Sequence, residues 1–265
     1  MDRIFDKTNL ERLASGCLIG RSIHFLDKVD STNNHAISLA IDGADEGETV
    51  IAECQTAGKG RLRDRVWQSP PGRNLYTSVI LRPDIPPAYA QVLTLVAGVA
   101  VAELLSGYCP VTLKWPNDVL AGGRKICGIL TEMRMKGQRL DFVVVGIGIN
   151  VNMEPDDFQV EFRHVATSLK EQTSNITSRL YLAAGLYGLL EKWYKIFLKS
   201  GFVPVRDRWI EYSDIIGKTI EVTDRGSVRR GTCRGIDSNG LLLLVDENNR
   251  TTQVLSGDVN LIKNR

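Results

Sequence analysis

A loop rich in glycine and basic residues, 55–70 (QTAGKGRLRDRVWQSP), lies between two runs that are typical of β-strands. Residues 49–54 (TVIAEC) precede the loop and residues 76–81 (YTSVIL) follow it, and apolar and β-branched side chains dominate both runs. The chain is therefore expected to contain a sheet in which a long connection joins two strands. The cations of this loop are Lys59, Arg61, Arg63 and Arg65.

The composition of the loop indicates a site for an anion. Gly58 and Gly60 flank Lys59, and glycine lets backbone amides approach a ligand closely. The alternating cations supply positive charge where the anion would lie. Two other interpretations of the same residues stay open: a solvated basic loop, or an arginine-rich patch that contacts nucleic acid.

The whole-chain composition favours a cytoplasmic protein. The 265 residues suffice for one large domain and a small one, and 33 basic residues nearly balance 31 acidic ones, so no overall field attracts nucleic acid or membrane. The start of the chain lacks a signal-peptide core, and the longest apolar run, 92–105, is short for a bilayer span and contains Glu103. Scattered cysteines without C-x-x-C spacing, and histidines without ligand spacing, predict no disulfide and no metal site.

Apolar periodicity predicts two domains, 1–213 and 214–265. A composition change near Ile215 starts a series of short strands and turns, which is typical of a small barrel. Residues 152–176 are predicted to be polar and irregular, and Pro116 is predicted to end a strand in a turn. The predicted strands, besides those flanking the loop, are 22–26, 111–115, 125–133, 141–149, 219–223, 229–236, 241–245 and 251–255, and the predicted helices are a turn around Leu10 and Leu13, then 32–41, 92–105, 178–199 and 202–212.

Polar residues precede the second helix, in the segment Asp30-Ser-Thr-Asn33. Ser31 suits the N-cap position, where its hydroxyl would satisfy a backbone amide. The same hydroxyls and free amides at a helix start can instead bind a small polar ligand. The residues alone leave both interpretations open.

Two neighbouring segments bring charged and amide side chains to strand ends. Lys114-Trp-Pro-Asn-Asp118 ends a strand and presents Asn117 and Asp118 beyond it, as an ordinary turn also would. Lys125 opens a strand of residue types made for burial. Its ammonium group either reaches water or points into a cleft, where it would stabilise a carboxylate or a phosphate.

The segment Gly146-Ile-Gly-Ile-Asn150 suggests a dinucleotide-binding fold, but the remaining pattern excludes it. Position 151 is valine where the third glycine is required, and no apolar-periodic helix follows. No Walker A pattern occurs either, so any nucleotide is held by another arrangement. Glycines within a strand indicate the close approach of the flat face of a ligand, which leaves Asn150 to contact a phosphate or a metal-bound water.

Taken together and in this order, the segments resemble the biotin protein ligases, which attach biotin to the carrier domains of carboxylases. The resemblance rests on 30–33, on 55–70 with Asn74-Leu-Tyr76, on 114–118 with 124–130, and on 146–150, and with the C-terminal strands it covers nearly the whole chain. It implies an α+β fold, a mixed β-sheet backed by helices like that of class II synthetases, with a small SH3-like β-barrel at the C-terminus.

The resemblance also implies two half-reactions. Biotin's carboxylate attacks the α-phosphorus of ATP, with Mg²⁺ neutralising the phosphates, and gives biotinyl-5′-AMP and pyrophosphate. A lysine of a biotin carboxyl carrier protein domain then attacks the mixed anhydride and releases AMP. A carboxylate and a polyphosphate repel each other, so cations have to bring them together.

The family's functional residues carry over by position, with Lys125 and Arg61 as the catalytic cations. Asp118 matches a position that contacts the acceptor domain. The residues implied for biotin are Ser31, Thr32, Asn33, Gln55, Gly58, Lys59, Gly60, Arg61, Lys125 and Gly128, and those implied for ATP and the adenylate are Lys59, Arg61, Trp67, Asn117, Lys125, Gly148 and Asn150.

Two departures from the family pattern concern the basic loop and the N-terminus. Leu62-Arg63-Asp64 stands where many members have a third glycine, and Trp67 comes one residue late, so Arg63 and Arg65 receive no role. About twenty residues precede the first predicted strand, which predicts no sequence-specific DNA binding. The nearest enzymatic alternative is a lipoate ligase or octanoyl transferase of similar fold, and the non-enzymatic one is an RNA-binding module. A homodimer is plausible for this family.

Overall fold

A seven-stranded mixed sheet forms the centre of the fold. A computed structural model describes residues 4–62, 65–224 and 226–262 of the chain. The strands are β1 (Ile23–Leu26), β2 (Thr49–Ala52), β3 (Leu75–Leu81), β4 (Val111–Lys114), β5 (Asp118–Ala121), β6 (Arg124–Lys136) and β7 (Arg139–Ile149). Their order is β1-β2-β3-β7-β6-β5-β4, and only β1 and β2 run parallel to each other among these pairs.

Helices cover both faces of this sheet. The helices are α1 (Lys7–Leu13), α2 (Thr32–Ile41), α3 (Val92–Leu105), α4 (Leu169–Thr173), α5 (Arg179–Ser200) and α6 (Val203–Tyr212), with 3-10 turns at Pro87–Tyr89, Pro155–Asp157 and Val160–Phe162. On one face, Ala36 and Ala40 of α2 pack on Val50, Ile80 and Val144. On the other face, the alternate strand residues pack against α3 and α5, so every residue of β3 is buried.

The second sheet, at the C-terminus, has five antiparallel strands. They are β8 (Thr219–Asp224), β9 (Ser227–Ile236), β10 (Leu242–Val245), β11 (Thr251–Val254) and β12 (Asp258–Leu261), in the order β11-β10-β9-β8-β12. Its inner residues, including Val222 and Leu244, belong to the same hydrophobic cluster as α3. The indole of Trp115 also donates to the carbonyl of Gly240 at 3.0 Å. The C-terminal sheet is therefore docked firmly beside the β4–β5 turn.

The predicted α+β class and most predicted elements are confirmed. The strand before Pro116 ends in a turn at residues 115–117 as predicted, and an unpredicted strand, β5, then folds back and pairs with β4 along its whole length. A further strand, β12, follows the last predicted one, and α4 lies in the segment predicted to be irregular. Ser31 occupies the N-cap position of α2, but its hydroxyl makes no cap hydrogen bond.

The apolar stretch Pro87–Leu105 has the length and composition of a membrane span, and it is the one such helix in the part of the chain that is described. Most of α3 is nevertheless buried between the central sheet and helices α5 and α6. Because neighbouring elements surround it, it is apolar all round. We assign it as a core helix of this fold.

Candidate active site

The site lies on the α2 face of the sheet, where three glycines of the β6–β7 hairpin form a floor. Gly128 and Gly148 stand opposite each other in the register, and a methyl group at either would lie within 3.0 Å of the Trp67 ring. A methyl group at Gly146 would lie 2.0 Å from Oδ1 of Asn33. Gly128 and Gly148 thus admit the indole of Trp67, a residue of the basic loop, and Gly146 admits the side chain of Asn33.

The first cavity lies between the start of α2 and this floor, and hydrogen-bonding groups surround it. Its volume is about 470 Å³ when the space at its open mouth is included. Gln55 accepts from the backbone amide of Thr32 at 2.9 Å and donates to Ser69 at 2.9 Å. Ser78 donates to Thr32 at 2.8 Å or to Asn33 at 2.6 Å. These contacts fix the side chains before any ligand arrives.

Glu132 links this polar network to the basic loop. One carboxylate oxygen accepts from Nδ2 of Asn33 at 2.8 Å, and the other lies 3.0 Å from Nζ of Lys59. The Lys59 and Glu132 side chains are each about one third exposed, with exposed fractions of 37% and 30%. The ion pair therefore fastens the start of the basic loop to strand β6, although solvent screens it.

Apolar residues line much of the second cavity, which shares Trp67 with the first. Its empty volume is about 910 Å³. Met153, Phe158, Phe162 and Val165 come from the connection between β7 and α4. A flat aromatic ring such as a nucleobase suits walls of this kind.

Lys125 stands where the two cavities meet. Its Nζ lies 2.7 Å from a carboxylate oxygen of Asp118 on the neighbouring strand and 5.4 Å from the centre of the Trp67 ring. The ion pair and the cation–π contact together limit where the ammonium group can point. Arg61, Gly60, Trp67 and Asn117 line both cavities as well.

Arg61 and Arg65 both contact the C-terminal sheet. The two oxygens of Asp258 lie 2.6 Å from Nη2 of Arg61 and 3.0 Å from Nη2 of Arg65. Nη2 of Arg61 also donates to the carbonyl of Gly257 at 3.1 Å. Arg63, another cation of this loop, received no predicted role and lies outside the described residues.

Burial controls the acid–base state of two groups beside the site. It raises the pKa of the Tyr76 phenol, which donates to the carbonyl of Pro70 at 3.0 Å and stays neutral. It also raises the pKa of the fully buried Cys127 thiol. Cys127 therefore stays protonated at neutral pH and is no nucleophile.

The structure brings nearly all the residues singled out from the sequence to these two cavities. Gly58 lies behind the first cavity, where a methyl group would meet the carbonyl of Trp67 at 2.5 Å. Asn150 lines the second cavity, but its Nδ2 already donates to the carbonyl of Thr167 at 3.0 Å. Asp118 lines it too, as the partner of Lys125. The residues implied by the resemblance that line the first cavity are Ser31, Thr32, Asn33, Gln55, Lys59, Gly60, Arg61, Trp67, Asn117, Lys125, Gly128 and Gly148.

Sequence reasoning missed several residues of the site. Ser78 and Glu132 are polar residues within strands, and polar residues in strands of a mostly buried sheet were a usable signal. Phe158 and Phe162 are aromatic residues in the otherwise polar segment 152–176, and this contrast could also have identified them as site residues. No pattern in the sequence identifies Asp258 as a site residue, because only the docking of the C-terminal sheet brings it to the basic loop.

The described residues offer no ready-made metal centre. Among them, no three histidine, cysteine, aspartate or glutamate side chains cluster so as to hold a metal ion. The two carboxylates that line the second cavity, Asp118 and Asp258, are both paired with cations. A divalent ion would therefore have to bring most of its oxygen ligands with it.

Comparison with known proteins agrees with this architecture. Residues 25–150 match the Biotin/lipoate A/B protein ligase family, and residues 215–261 match the Biotin protein ligase C terminal domain. The Bifunctional ligase/repressor BirA of Bacillus subtilis is 37% identical over 92% of this chain and 75% of its own length. The Biotin--[acetyl-CoA-carboxylase] ligase of Paracoccus denitrificans is 33% identical over 83% of this chain and 92% of its own length.

A solved structure shows the same fold. The biotin protein ligase from Aquifex aeolicus in complex with biotin and ATP superposes with a TM-score of 0.76 at 28% identity, over 92% of this chain and 100% of that one. The likeness thus includes both the central sheet and the C-terminal one. On the sequence and fold comparisons together, the chain belongs to the biotin protein ligase family.

Proposed function

We propose that this chain activates biotin with ATP as biotinyl-5′-AMP and transfers the biotinyl group to a lysine of a biotin carboxyl carrier protein domain. The observation that carries the proposal is the meeting of a polar cavity and an apolar one at the same two cations, Lys125 and Arg61. Relatives named for biotin ligation, and a similar enzyme solved with biotin and ATP, support it.

Biotin fits the first cavity by its chemistry. Its ureido ring carries two N–H donors and a carbonyl acceptor, and the hydroxyl and amide groups of Ser31, Thr32, Asn33 and Gln55 offer partners for both. The carboxylate at the other end of the molecule would then point towards Lys125. Such an orientation brings the reacting oxygen to the border of the second cavity.

In the first half-reaction, a carboxylate oxygen of biotin attacks the α-phosphorus of ATP. A bond forms between that oxygen and phosphorus, the bond to the bridging oxygen of pyrophosphate breaks, and pyrophosphate leaves with the electron pair. Lys125 and Arg61 hold the two anions in contact and stabilise the charge that develops on the phosphoryl oxygens. Magnesium enters as the ATP complex, which brings phosphate oxygens and water as its ligands.

Trp67 lies at the border of the two cavities, and in the described part of the chain its indole N–H is free to donate a hydrogen bond to a ligand. Its indole Nε1 is buried, and the described residues give it no hydrogen-bond partner. A buried N–H without an acceptor costs about 1–3 kcal/mol, which a ligand oxygen at this border would recover. The ring also shields the mixed anhydride from water, which would otherwise hydrolyse it.

In the second half-reaction, the amine of the carrier lysine attacks the carbonyl carbon of the mixed anhydride. An amide bond forms, the bond to the phosphate oxygen breaks, and AMP leaves. We assign Asp118 to the path by which this lysine enters, because its carboxylate lies beside Lys125 at the border of the cavities. The carrier belongs to a biotin-dependent carboxylase, the substrate class named for relatives of this chain.

The proposal also covers the enzyme's localisation, oligomeric state, DNA binding and domain organisation. The enzyme acts in the cytoplasm, where its five cysteines stay reduced, and it needs no membrane. It works as a homodimer, and sedimentation as a monomer would contradict that part. It binds no specific DNA sequence, so a gel shift with a single tightly bound sequence would contradict that part. Residues 1–213 carry the catalytic cavities and residues 214–265 form the second domain.

Transfer of radiolabelled biotin to a purified carrier domain tests the proposal. The purified chain, Mg·ATP and carrier should give one label per carrier, and omission of ATP should abolish labelling. Radiolabelled lipoate is the matched control, since the family description covers both cofactors. Labelling by lipoate and not by biotin would contradict the proposal, as would labelling by neither.

A further inference from the structure

The cations that line the second cavity form ion pairs with carboxylates. Among the described residues, five charged side chains line the second cavity: three cations, Arg61, Arg65 and Lys125, and two carboxylates, Asp118 and Asp258. Asp118 pairs with Lys125, and Asp258 pairs with both arginines. Asp118 lies in the central sheet beside its lysine, whereas Asp258 comes from the other sheet, nearly 200 residues along the chain from Arg61.

The contact between Arg61 and Asp258 leaves the guanidinium ready for an anion. Both recorded contacts of Arg61 use the same nitrogen, Nη2. The described residues supply no acceptor for its Nη1 and Nε. A guanidinium group carries five N–H donors in a fixed plane, so fastening one nitrogen orients the others.

Asp258 is itself well placed to hold a cation. It is the first residue of β12 and pairs with Thr223 of β8, so its backbone is fixed by the sheet. Gly257 before it has φ of +142°, and a methyl group there would lie 2.6 Å from Val222. The tight turn thus brings both the carboxylate of Asp258 and the carbonyl of Gly257 to Arg61.

We propose that Asp258 is a positioning residue that holds Arg61, with Arg65 as a second partner, at the nucleotide side of the basic loop. Without this carboxylate, two arginines of one loop repel each other and Arg61 loses its fixed orientation. The nucleotide cavity is then complete only while the C-terminal sheet is docked. This inference rests on the proposed adenylation, because it assigns Arg61 to the bound ATP.

Pyrophosphate release by the full-length chain, with biotin and Mg·ATP but no carrier, tests the inference. Asp258→Asn keeps the size of the side chain and removes its charge. We expect the KM for ATP to rise about tenfold, as for a lost charge-assisted hydrogen bond, and the Kd for biotin alone to stay within about twofold. Asp258→Glu restores the charge and should recover most of the ATP affinity.

Glu221→Gln is the matched control. Glu221 lies on the neighbouring strand β8, where it pairs with Arg230 at 2.8 Å, away from both cavities. Its KM for ATP should equal that of the wild type. An unchanged or lowered KM in Asp258→Asn would overturn the inference, and so would an equal loss of biotin and ATP affinity with a lowered melting temperature. A wild-type chain that releases no pyrophosphate would instead overturn the proposed function.

Discussion

The two cavities of this enzyme differ in how they are built. The cavity proposed for biotin is lined by the start of α2, by strands β3, β6 and β7 and by part of the basic loop, and its polar side chains already bond one another. The cavity proposed for the nucleotide is lined by the basic loop, by the connection between β7 and α4, by residues of β5 and β6, and by Asp258 of the C-terminal sheet. Among the described residues, the C-terminal sheet contributes a side chain to the second cavity and none to the first.

This difference predicts which perturbations affect which substrate. Changes in the polar network around the start of α2, including the Lys59–Glu132 pair, should act mainly on biotin, and changes at the contact with Asp258 should act mainly on ATP. Lys125 belongs to both cavities, so its loss should affect the chemical step itself. Variants that merely lower the stability of the fold should not discriminate between the two substrates.

The largest effect is expected from Lys125→Ala. Removal of the ammonium group takes away the positive charge beside the reacting carboxylate and phosphate, which typically costs about a hundredfold or more in rate. Pyrophosphate release per enzyme at saturating substrates measures it. Lys136→Ala, at the exposed end of the same strand, is the control. A wild-type rate for Lys125→Ala would remove the lysine from the mechanism.

Gly148→Ala should act on both substrates, because Gly148 lines the first cavity and Trp67 lines both. The added methyl group would lie 2.6 Å from the Trp67 ring, so the indole must leave its place. A displacement of this kind costs about 1–3 kcal/mol, or about 5- to 150-fold in affinity. The indole fluorescence should change at the same time.

Gly188→Ala serves as the control for the added methyl group. Gly188 lies in α5 and has open space around it, so alanine should keep activity and raise helix stability. If Gly148→Ala keeps wild-type kinetics for both substrates, the assignment of Trp67 to the border of the cavities is wrong.

Glu132→Gln should act on the biotin side alone. Glutamine can still accept from Asn33, but the ion pair with Lys59 is lost. Because both side chains are partly exposed, the loss is worth at most about 1 kcal/mol, or up to about fivefold in the Kd for biotin. Calorimetric titration with biotin measures it. A larger effect on ATP than on biotin would contradict the division into two cavities.

The smallest effect on catalysis is expected from Glu103→Gln, which calibrates the others. Burial opposes the charged form of Glu103, but hydrogen bonds from Lys192 and Trp193 prevail and lower its pKa. A carboxylate with a lowered pKa stabilises the fold above its unfolded-state pKa, and this contribution is lost as the pH falls through the folded-state value. The variant should lose about 1–2 kcal/mol of stability at pH 7.

Urea unfolding of Glu103→Gln at several pH values checks this expectation. The difference in unfolding free energy from the wild type should shrink as the pH is lowered into the range where the wild-type carboxylate becomes protonated. The KM for ATP and the Kd for biotin should both stay within about twofold at pH 7. A change in one substrate alone would show that stability loss can mimic a cavity-specific effect.

The sequence predicted the regular elements and the biotin cavity better than the nucleotide cavity. Strands such as β7 and helices such as α3 are marked by runs of apolar residues close together in the chain, so a short stretch of sequence is enough to predict them. The polar residues at the start of α2 could also be predicted as site residues, because Ser31, Thr32 and Asn33 are consecutive in the sequence. The resemblance to a family then supplied Lys125 and Arg61, whose roles no local pattern specifies.

The remaining parts of the site depend on contacts between distant segments. The glycines of β6 and β7 indicated a close approach, but only the folded loop shows that Trp67 lies against Gly128 and Gly148. Asp258 reaches Arg61 because β12 pairs with β8, and β12 itself was missed. Such pairings are decided by tertiary packing, which a single sequence does not display.

The most direct test of the account is a pre-steady-state measurement of pyrophosphate from the purified chain mixed with biotin and Mg·ATP in the absence of carrier. The account predicts a burst of about one pyrophosphate per active site, together with an acid-labile product that contains both biotin and AMP, and no burst from Lys125→Ala. Release of phosphate and ADP, or no biotin-dependent product at all, would contradict it.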